Sequence, residues 1–437
     1  MADTAFAPLA PLEPLMDKCV HCGFCLPTCP SYLLLGQEMD SPRGRIYLMR
    51  AGVDERISIT PSFVSHFDTC LGCMACETAC PSGVRYAPLV ERTRATIEGA
   101  HERPAAERWF RRLLFSILPF PSRLRALALP IKAGTIAGRA AMAIAQRLGV
   151  EGRLASTLES LISLAPDVPL SRVMEETPAR TAAAGAARLK VGLLTGCVQR
   201  AFFGDVNRAT ARVLAAEGCD VLAPHEQGCC GALALHAGQE ADARQFARDL
   251  IATFERAAVD VVAVNAAGCG SAMKEYGHLL AGDPAWAERA RTFAAKVRDV
   301  TEVLASLDPR AVRQPLSLRV AYHDACHLAH AQGVRREPRQ LLESIPGVTI
   351  LPIAESEICC GSAGIFNLVQ PEMAATLGAR KAANLNDAAP DVVATSNPGC
   401  ILQIRSAARD RGYTFPVVHI VELLDASIRG QRLEVGG

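Results

Sequence analysis

Eight cysteines near the N-terminus carry the clearest chemical signal in the sequence, because they form two copies of one spacing, C-x2-C-x2-C-x3-C-P. The copies consist of Cys19, Cys22, Cys25, Cys29 and Pro30, and of Cys70, Cys73, Cys76, Cys80 and Pro81. This spacing is typical of thiolates that hold [4Fe–4S] clusters. A short loop can wrap the first three cysteines around one cluster, and the fourth lies beyond a turn. The sequence therefore predicts two [4Fe–4S] clusters and the transfer of single electrons.

Structural zinc is the alternative interpretation of these cysteines. Zinc sites need four ligands and commonly use two paired knuckles, whereas each copy here is a triplet followed by a separate Cys-Pro. We therefore favour clusters. In two-cluster ferredoxins the fourth cysteine of a run ligates the other cluster. This exchange predicts two ligand sets, which are Cys19, Cys22, Cys25 with Cys80, and Cys70, Cys73, Cys76 with Cys29.

Eight further cysteines lie in a tandem repeat in the C-terminal part of the chain. They are Cys197, Cys229, Cys230 and Cys269 in the first copy, and Cys326, Cys359, Cys360 and Cys400 in the second. Corresponding positions are 129 to 131 residues apart, so one unit occurs twice. Each adjacent pair precedes a glycine, which permits a tight turn. Each set of four thiols is a candidate metal site, and adjacent cysteines suit a cluster better than a single ion.

Alternating strand and helix patterns indicate how the repeat positions these thiols. First strands are expected at Leu189–Leu194 and Leu318–Tyr322, just before the first cysteine of each copy. Third strands are expected at Val259–Val264 and Asp391–Thr395, before the last cysteine. Parallel α/β units gather ligands beyond the carboxyl ends of their strands. The sequence therefore predicts that the cysteines of each copy meet there.

Three histidines lie close to the repeat cysteines. His323 and His327 flank Cys326, and His225 precedes the first adjacent pair. Imidazole can ligate or tune a metal site, although a lone histidine is more often only hydrogen-bonded. Cys219 has no counterpart in the second copy, and we expect a small buried hydrophobic residue there.

Four regions follow from these patterns. They are a helical two-cluster domain at 1–100, a basic amphipathic helical connector and linker at 101–187, and α/β Cys-Cys-Gly domains at 188–310 and 311–437. One helix is expected to begin at Pro42 with Ser41 as its cap. The predicted fold is thus multidomain: a mostly helical ferredoxin-type domain followed by two tandem α/β domains.

The connector has an unusual charge pattern. Between residues 103 and 147, basic residues alternate with large apolar ones, and Glu107 is the single acid. Such a stretch can lie on an anionic membrane surface or dock a partner subunit. A helical connector with solvated arginines is the third interpretation, and the sequence leaves all three open.

Composition and terminal patterns indicate where in the cell the protein functions. The net charge of +1 gives no argument for binding nucleic acid. Clustered cysteines kept as thiolates imply a reducing compartment, and the N-terminus lacks a secretory pattern. No apolar run reaches the roughly 18 residues of a spanning helix. We therefore expect a cytoplasmic protein, soluble or peripheral on the inner face of the cytoplasmic membrane.

Two stretches around the N-terminal cysteines identify a family. The segment from Cys19 through Pro42-Arg-Gly-Arg-Ile-Tyr47, and the segment Cys76 to Tyr86, closely resemble the iron–sulfur subunit of bacterial glycolate oxidase. The resemblance spans nearly the whole chain. The Cys-Cys-Gly domains also resemble those of heterodisulfide reductase, which hold non-cubane [4Fe–4S] clusters. That pattern ends in Cys-x-x-Cys, whereas each copy here has one thiol fewer, because Ala272 and Gln403 occupy the last position.

The resemblance implies a division of labour. FAD-containing partner subunits would oxidise glycolate to glyoxylate, and this chain would carry electrons towards a quinone-type acceptor at the inner membrane. No G-x-G-x-x-G follows a strand, so flavin or nicotinamide chemistry belongs to another chain, and no catalytic residue is expected here. The alternatives are a heterodisulfide reductase-like thiol/disulfide enzyme, the membrane-linking subunit of anaerobic glycerol-3-phosphate dehydrogenase, and repeats that act only as a scaffold.

Overall fold

The computed structural model of the chain describes residues 4–130, 134, 161–165 and 168–433. Its N-terminal domain is mostly helical, which confirms the predicted class. The segments are 3-10 turns at Thr4–Leu12 and Glu38–Asp40, and helices at Glu13–Met16, Pro30–Leu35, Pro42–Val53, Pro61–Asp68, Ala75–Thr78 and Tyr86–Ala100. Among the described residues, no helix is both long enough and apolar enough to cross a membrane.

The helix that begins at Pro42 is capped as the sequence predicts. The Ser41 hydroxyl accepts a hydrogen bond from the Gly44 backbone N–H at 3.0 Å, and Pro42 occupies the first turn. The helices enclose a core that includes Met49, Phe67 and Leu89. The cysteines lie in the loops between these helices, so packing of the helices sets the positions of the sulfurs.

The connector at 101–187 contains several helices. They span Ala105–Ile117, 121–130 and Leu170–Met174, with a helical turn at 161–163. The remainder of the predicted basic stretch, residues 131–133 and 135–160, lies outside the described residues.

Two arginines of the connector are not solvated, in contrast to the third interpretation of this stretch. Arg103 is buried and donates to Asp68 at 2.8 Å, and Arg111 is nearly buried and donates to Glu107 at 2.9 Å. Arg103 attaches the helix to the N-terminal domain, since it also donates to Glu107 at 2.9 Å, and Arg111 adds a longer contact to Asp68 at 3.8 Å. On the exposed face of this helix, Trp109 is 66% and Leu113 37% exposed, beside the exposed Arg108 and Arg112.

The first α/β domain contains a five-stranded sheet. Its strands are β1 (Arg180–Thr181), β2 (Leu189–Leu194), β3 (Cys219–Leu222), β4 (Val261–Val264) and β5 (Val297–Asp299), in the order β1-β3-β2-β4-β5. Only β1 is antiparallel, and it comes from the segment predicted as linker. The helices are Val198–Phe202, Gly204–Ala216, Ala232–His236, Glu240–Ala257, Ala267–Lys274, Tyr276–Leu279, Ala287–Lys296 and Val300–Ala305.

The second α/β domain repeats this topology. Its strands are β6 (Leu318–Tyr322), β7 (Val348–Leu351), β8 (Val392–Thr395) and β9 (Val417–His419), parallel throughout, in the order β7-β6-β8-β9. Its helices are a π-helix at His327–Ala331 and α-helices at Glu337–Glu343, Phe366–Val369, Pro371–Asp387, Pro398–Asp410 and Ile420–Arg429. The predicted bounds of β2 and β6 match, and β4 and β8 begin slightly later than expected.

The two α/β domains share one hydrophobic core. Buried residues of β2 and of β6 belong to the same cluster, and helix Gly204–Ala216 packs on helix Ile420–Arg429. A bidentate ion pair between Arg212 and Asp425 joins these helices at 2.6 and 2.9 Å. The repeats therefore form a unit that brings the carboxyl ends of both sheets near each other.

Candidate metal centres

The structure brings Cys29 to the second ferredoxin-type run. Cys70 and Cys73 are buried. Burial raises the pKa of Cys76, and the neighbouring Cys73, Cys70 and Cys29 thiols raise it further. These contacts match the exchange of fourth ligands expected from the spacing, and the ligand assignment itself stays a prediction.

The first run lies at the surface of the domain. Burial raises the pKa of Cys19, and the nearby Cys80 and Cys22 thiols add to this effect. Cys22 is exposed. Two apolar neighbours face solvent beside it, since Val20 is 67% and Phe24 64% exposed. This site is therefore open to a partner, whereas the second run is enclosed.

The buried guanidinium of Arg45 lies between the segment that carries Cys29 and the start of the second ferredoxin-type run. Arg45 is fully buried and donates from Nη2 to Ser31 Oγ at 3.1 Å and to Thr69 Oγ1 at 3.0 Å. Burial opposes ionisation of Cys70, but Arg45 and Arg94 together lower its pKa. A cation in this position stabilises thiolate ligands. The sequence marked Arg45 only as part of a family motif and did not reveal this role.

In the first repeat, the cysteines gather at the carboxyl ends of the strands, as predicted. Cys197 follows β2, the adjacent pair follows β3, and Cys269 lies in the first turn of the helix after β4. The Sγ atoms of Cys197 and Cys229 are 3.6 Å apart. Contact with Cys229 and burial raise the pKa of Cys197. Cys230 also touches Cys229, while its neighbour Cys269 and burial raise its pKa.

In the second repeat, histidines join the sulfurs. The Sγ atoms of Cys326 and Cys359 are 3.9 Å apart, and Cys326 Sγ lies 3.6 Å from His327 Nδ1. One ligand atom each from His323, Cys360 and Cys400 lies within 4.8 Å of the other two. The repeat thus offers four sulfurs and two imidazoles to one small volume.

Two thiols of the second repeat, Cys326 and Cys360, have a lowered pKa, whereas contacts with these two raise the pKa of Cys359 and Cys400. Contact with Cys359 lowers the pKa of Cys326, and His327 lowers it further against the effect of burial. Contacts with the thiols of Cys359 and Cys400 likewise lower the pKa of Cys360, and His323 contributes in the same direction.

The donor set fits a metal centre. Two thiolates bound to one tetrahedral metal at about 2.3 Å each lie about 3.8 Å apart, close to the measured sulfur separations in both repeats. Thiolate-rich sites favour zinc, copper(I) or iron–sulfur clusters. Each Cys-Cys-Gly turn also requires its glycine, because Gly231 and Gly361 have φ of 78° and 91°.

The ferredoxin-type domain contacts the second repeat through its cysteines. Cys73, Cys326 and Cys359 belong to one buried cluster. Burial raises the pKa of Cys73, and the Cys326 thiol raises it further. Beside them, Thr78 Oγ1 and His330 Nδ1 are 3.1 Å apart. The second ferredoxin-type run and the second repeat therefore share one interior.

The two repeat sites also adjoin each other. The backbone N–H of Gly268 donates to Asn397 Oδ1 at 3.4 Å, and Asn397 Nδ2 donates to Cys400 Sγ at 3.4 Å. Gly268 precedes Cys269 of the first repeat. One asparagine thus links the backbone at one site to a sulfur at the other.

Three further residues have surroundings of their own. His225 lies outside the site of the first repeat, and its Nε2 is 3.2 Å from Thr177 O. Cys219 is buried in β3, as expected. Lys381 was not predicted: burial lowers its pKa, and the nearby sulfurs of Cys360 and Cys359 oppose that effect. No motif marks Lys381, because its burial depends on packing between helix and loop.

Two protein families match this chain and agree with the predicted fold class. The family described as 4Fe-4S dicluster domain matches residues 15–84, and the family described as cysteine-rich domain matches 191–274 and 320–405. The chain therefore carries iron–sulfur clusters. These matches agree with the helical domain and with the two parallel sheets.

Full-length relatives identify the family. A Bacillus subtilis (strain 168) protein named probable glycolate oxidase iron-sulfur subunit is 38% identical over 413 residues, which is 93% of each chain. The chain belongs to the glycolate oxidase iron-sulfur subunit family. The Escherichia coli (strain K12) member is 34% identical over 426 residues, 95% of each chain. Lactate utilization protein A of an Exiguobacterium species is 29% identical over 240 residues, 55% of this chain and 98% of that protein. The resemblance predicted from the cysteine contexts is confirmed.

Proposed function

We propose that the chain is the electron-transfer subunit of a multi-subunit glycolate dehydrogenase. FAD-containing partner subunits oxidise glycolate to glyoxylate, a step that releases two electrons and two protons. This chain then passes the electrons one at a time towards a quinone-type acceptor. The observation that carries the proposal is the shared interior of Cys73, Cys326 and Cys359, since it joins ferredoxin-type ligands to a repeat site.

The surface suggests where electrons arrive. Cys22 is exposed and lies between the open apolar side chains of Val20 and Phe24. Exposed apolar groups beside a functional site are typical of a partner surface. We place the flavoprotein at this surface because a partner that covers it would bring its flavin close to the first cluster. From there the route leads through the ligands around Cys73 to the second repeat.

The chain's residues have separate roles in this route. The sixteen cysteines of the two runs and the two repeats are the proposed ligands, and bound iron–sulfur clusters supply one-electron chemistry. Arg45 and Lys381 provide positive charge beside sulfurs. The open helix face around Trp109 is a second partner surface, which we assign to the acceptor side of the complex.

The test uses the complex purified with its flavoprotein partners. Glycolate should reduce the flavin and then a soluble quinone analogue. Cys359→Ser should leave flavin reduction intact and nearly abolish quinone reduction, because a ligand beside Cys73 is lost. Cys219→Ser is the matched control, since Cys219 is equally buried but lies within a strand. Full quinone reduction by Cys359→Ser would exclude a redox role for the second repeat.

The same preparation distinguishes related functions. The partial match to lactate utilization protein A makes lactate the competing substrate. Faster reduction with lactate than with glycolate would reassign the complex. Reduction of a disulfide substrate by this chain without flavoproteins would favour the heterodisulfide reductase-like alternative.

A further inference from the structure

We propose that His323 is a metal ligand of the second repeat and forms a mixed imidazole–thiolate site with Cys360 and Cys400. Ligand atoms of these three residues lie within 4.8 Å of one another. His323 directly follows β6, and its backbone N–H donates to Ala394 O at 2.9 Å. The imidazole is therefore held at the carboxyl end of the sheet, next to the Cys-Cys-Gly turn.

Among the described residues, the imidazole has no nitrogen or oxygen partner for either ring nitrogen. His323 is 0% exposed, neither Nδ1 nor Nε2 is satisfied, and the imidazole interacts with the sulfur of Cys360. Burying a polar group without a hydrogen-bond partner is destabilising. His419 in the same domain shows the ordinary arrangement, because its Nε2 lies 2.9 Å from Asn265 O and its Nδ1 accepts from Val421 N–H at 3.2 Å. A bound metal would satisfy His323.

The proposal also accounts for the missing thiol of this repeat. Gln403 occupies the place of the final cysteine in the Cys-x-x-Cys pattern. Its Nε2 donates to Ala374 O at 2.9 Å, and its Oε1 accepts from Asn367 at 3.2 Å, so Gln403 is already engaged. His323 supplies a nitrogen donor from the end of β6 instead. The first repeat has Leu194 at the equivalent position and gains no nitrogen.

A histidine ligand changes the redox character of the site. A neutral imidazole in place of a thiolate removes one negative charge and raises the reduction potential. Lys381, buried near Cys359 and Cys360, acts in the same direction. The second repeat would therefore accept electrons more readily than the all-cysteine first repeat. This inference concerns ligation and holds whatever substrate the complex oxidises.

The test measures the nitrogen directly. The full chain is purified anaerobically with ¹⁵N-histidine, loaded with iron and sulfide, and examined by pulsed paramagnetic resonance at several potentials. We expect a strong ¹⁵N coupling from a bound imidazole. His323→Ala should abolish it, whereas His327→Ala and His419→Asn should retain it. Because His419 is also buried, loss caused by general damage would appear in that control.

A conservative variant keeps the test decisive if His323→Ala does not fold. His323→Cys should retain the iron content, lose the strong ¹⁵N coupling and shift one midpoint potential to a more negative value. Weak couplings alone, typical of an imidazole that only donates a hydrogen bond to sulfur, would overturn the proposal. Absence of a strong coupling at every potential would do the same, as would its persistence in either His323 variant.

Discussion

The two Cys-Cys-Gly repeats have the same strand order but surround their sulfurs with different side chains. Apolar residues of the first repeat correspond to basic residues of the second. The pairs are Leu194 and His323, Val198 and His327, and Leu250 and Lys381. The first environment raises the pKa of Cys197, whereas the second lowers the pKa of Cys326. One scaffold thus places basic side chains near the sulfurs of the second copy and apolar side chains at the corresponding positions of the first, and only in the second copy is the pKa of any repeat thiol lowered.

The repeats also differ in how they meet the ferredoxin-type domain. The second repeat contributes Cys326 and Cys359 to a cluster with Cys73. The first repeat contacts the same domain without its cysteines: Arg94 donates to His236 O at 3.0 Å, and Arg85 and Arg92 form ion pairs with Glu275 and Glu240 at 3.1 Å each. In the route proposed above, the second repeat would therefore receive electrons from the N-terminal clusters before the first repeat does. The two copies share one scaffold and differ at buried positions near the sulfurs.

Among substitutions that test the difference between the two repeats, those of the turn glycines should have the largest effect on stability. Gly361→Ala would place a Cβ 2.7 Å from Ala374 O at φ 91°, and Gly231→Ala would place one 3.1 Å from Ala243 O at φ 78°. Strain and overpacking should destabilise the first variant by about 3 kcal/mol and the second by about 1–2 kcal/mol. Anaerobic thermal unfolding and iron content measure this. The reverse ranking would show that the first turn is the tighter one.

The buried lysine should have a smaller and more specific effect. Lys381→Met removes a positive charge near Cys359 and Cys360. We expect one midpoint potential to fall by about 60 mV, equivalent to about tenfold for a one-electron couple. Leu250→Met, at the equivalent position of the first repeat, is the matched control and should leave all potentials unchanged. Equal shifts in both variants would indicate a general packing effect instead of charge.

The smallest effect concerns the helix caps that follow the last strand of each repeat. Burial raises the pKa of Asp299 to about 7, with Glu302 adding to it, and burial lowers that of His419 to about 4. A raised carboxyl pKa means that stability is full below the unfolded value of 3.8 and falls as pH rises from there to about 7. A lowered histidine pKa means that stability is full above 6.5 and falls as pH drops from there to about 4.

Neutral replacements should therefore change the pH dependence in opposite directions. Asp299→Asn, which retains a good cap, should reduce the loss of stability between about pH 4 and 7 by about 1 kcal/mol or more. His419→Asn should reduce the loss between pH 6.5 and 4. Unfolding midpoints at about pH 5 and about pH 8 give the measurement. Parallel pH profiles of variant and parent would contradict the buried charges as the cause.

Local signals explain which parts of this arrangement the sequence could predict. The mainly apolar runs at Leu189–Leu194 and Leu318–Tyr322, each with one basic residue near its start, are typical of buried parallel strands, and the structure has the same bounds. The Ser41-Pro42 start could also be predicted, because capping depends on a few neighbouring residues. The nearly constant offset between corresponding cysteines indicates the duplication, because it can be counted along the chain.

Contacts between distant segments explain what the sequence could not show. Cys73 and Cys326 are 253 residues apart in the numbering, and nothing local to either marks their contact. The edge strand Arg180–Thr181 lies in a segment rich in alanine and proline, and its pairing with β3 depends on the rest of the sheet. The different surroundings of the two repeats likewise appear only when the buried neighbours are compared in space.

Arg45 has a consequence for how the N-terminal domain matures. The carboxylate of Asp40 lies 3.5 Å from the Arg45 guanidinium, and Cys70, Tyr86 and Cys29 also favour its charged form against the effect of burial. An incompletely compensated buried charge is strongly destabilising. We therefore expect the helix Pro42–Val53 to dock less firmly in the iron-free chain than in the chain loaded with clusters. The thiolates of a bound cluster would place negative charge beside Arg45, so cluster loading and the final packing of this helix would be coupled.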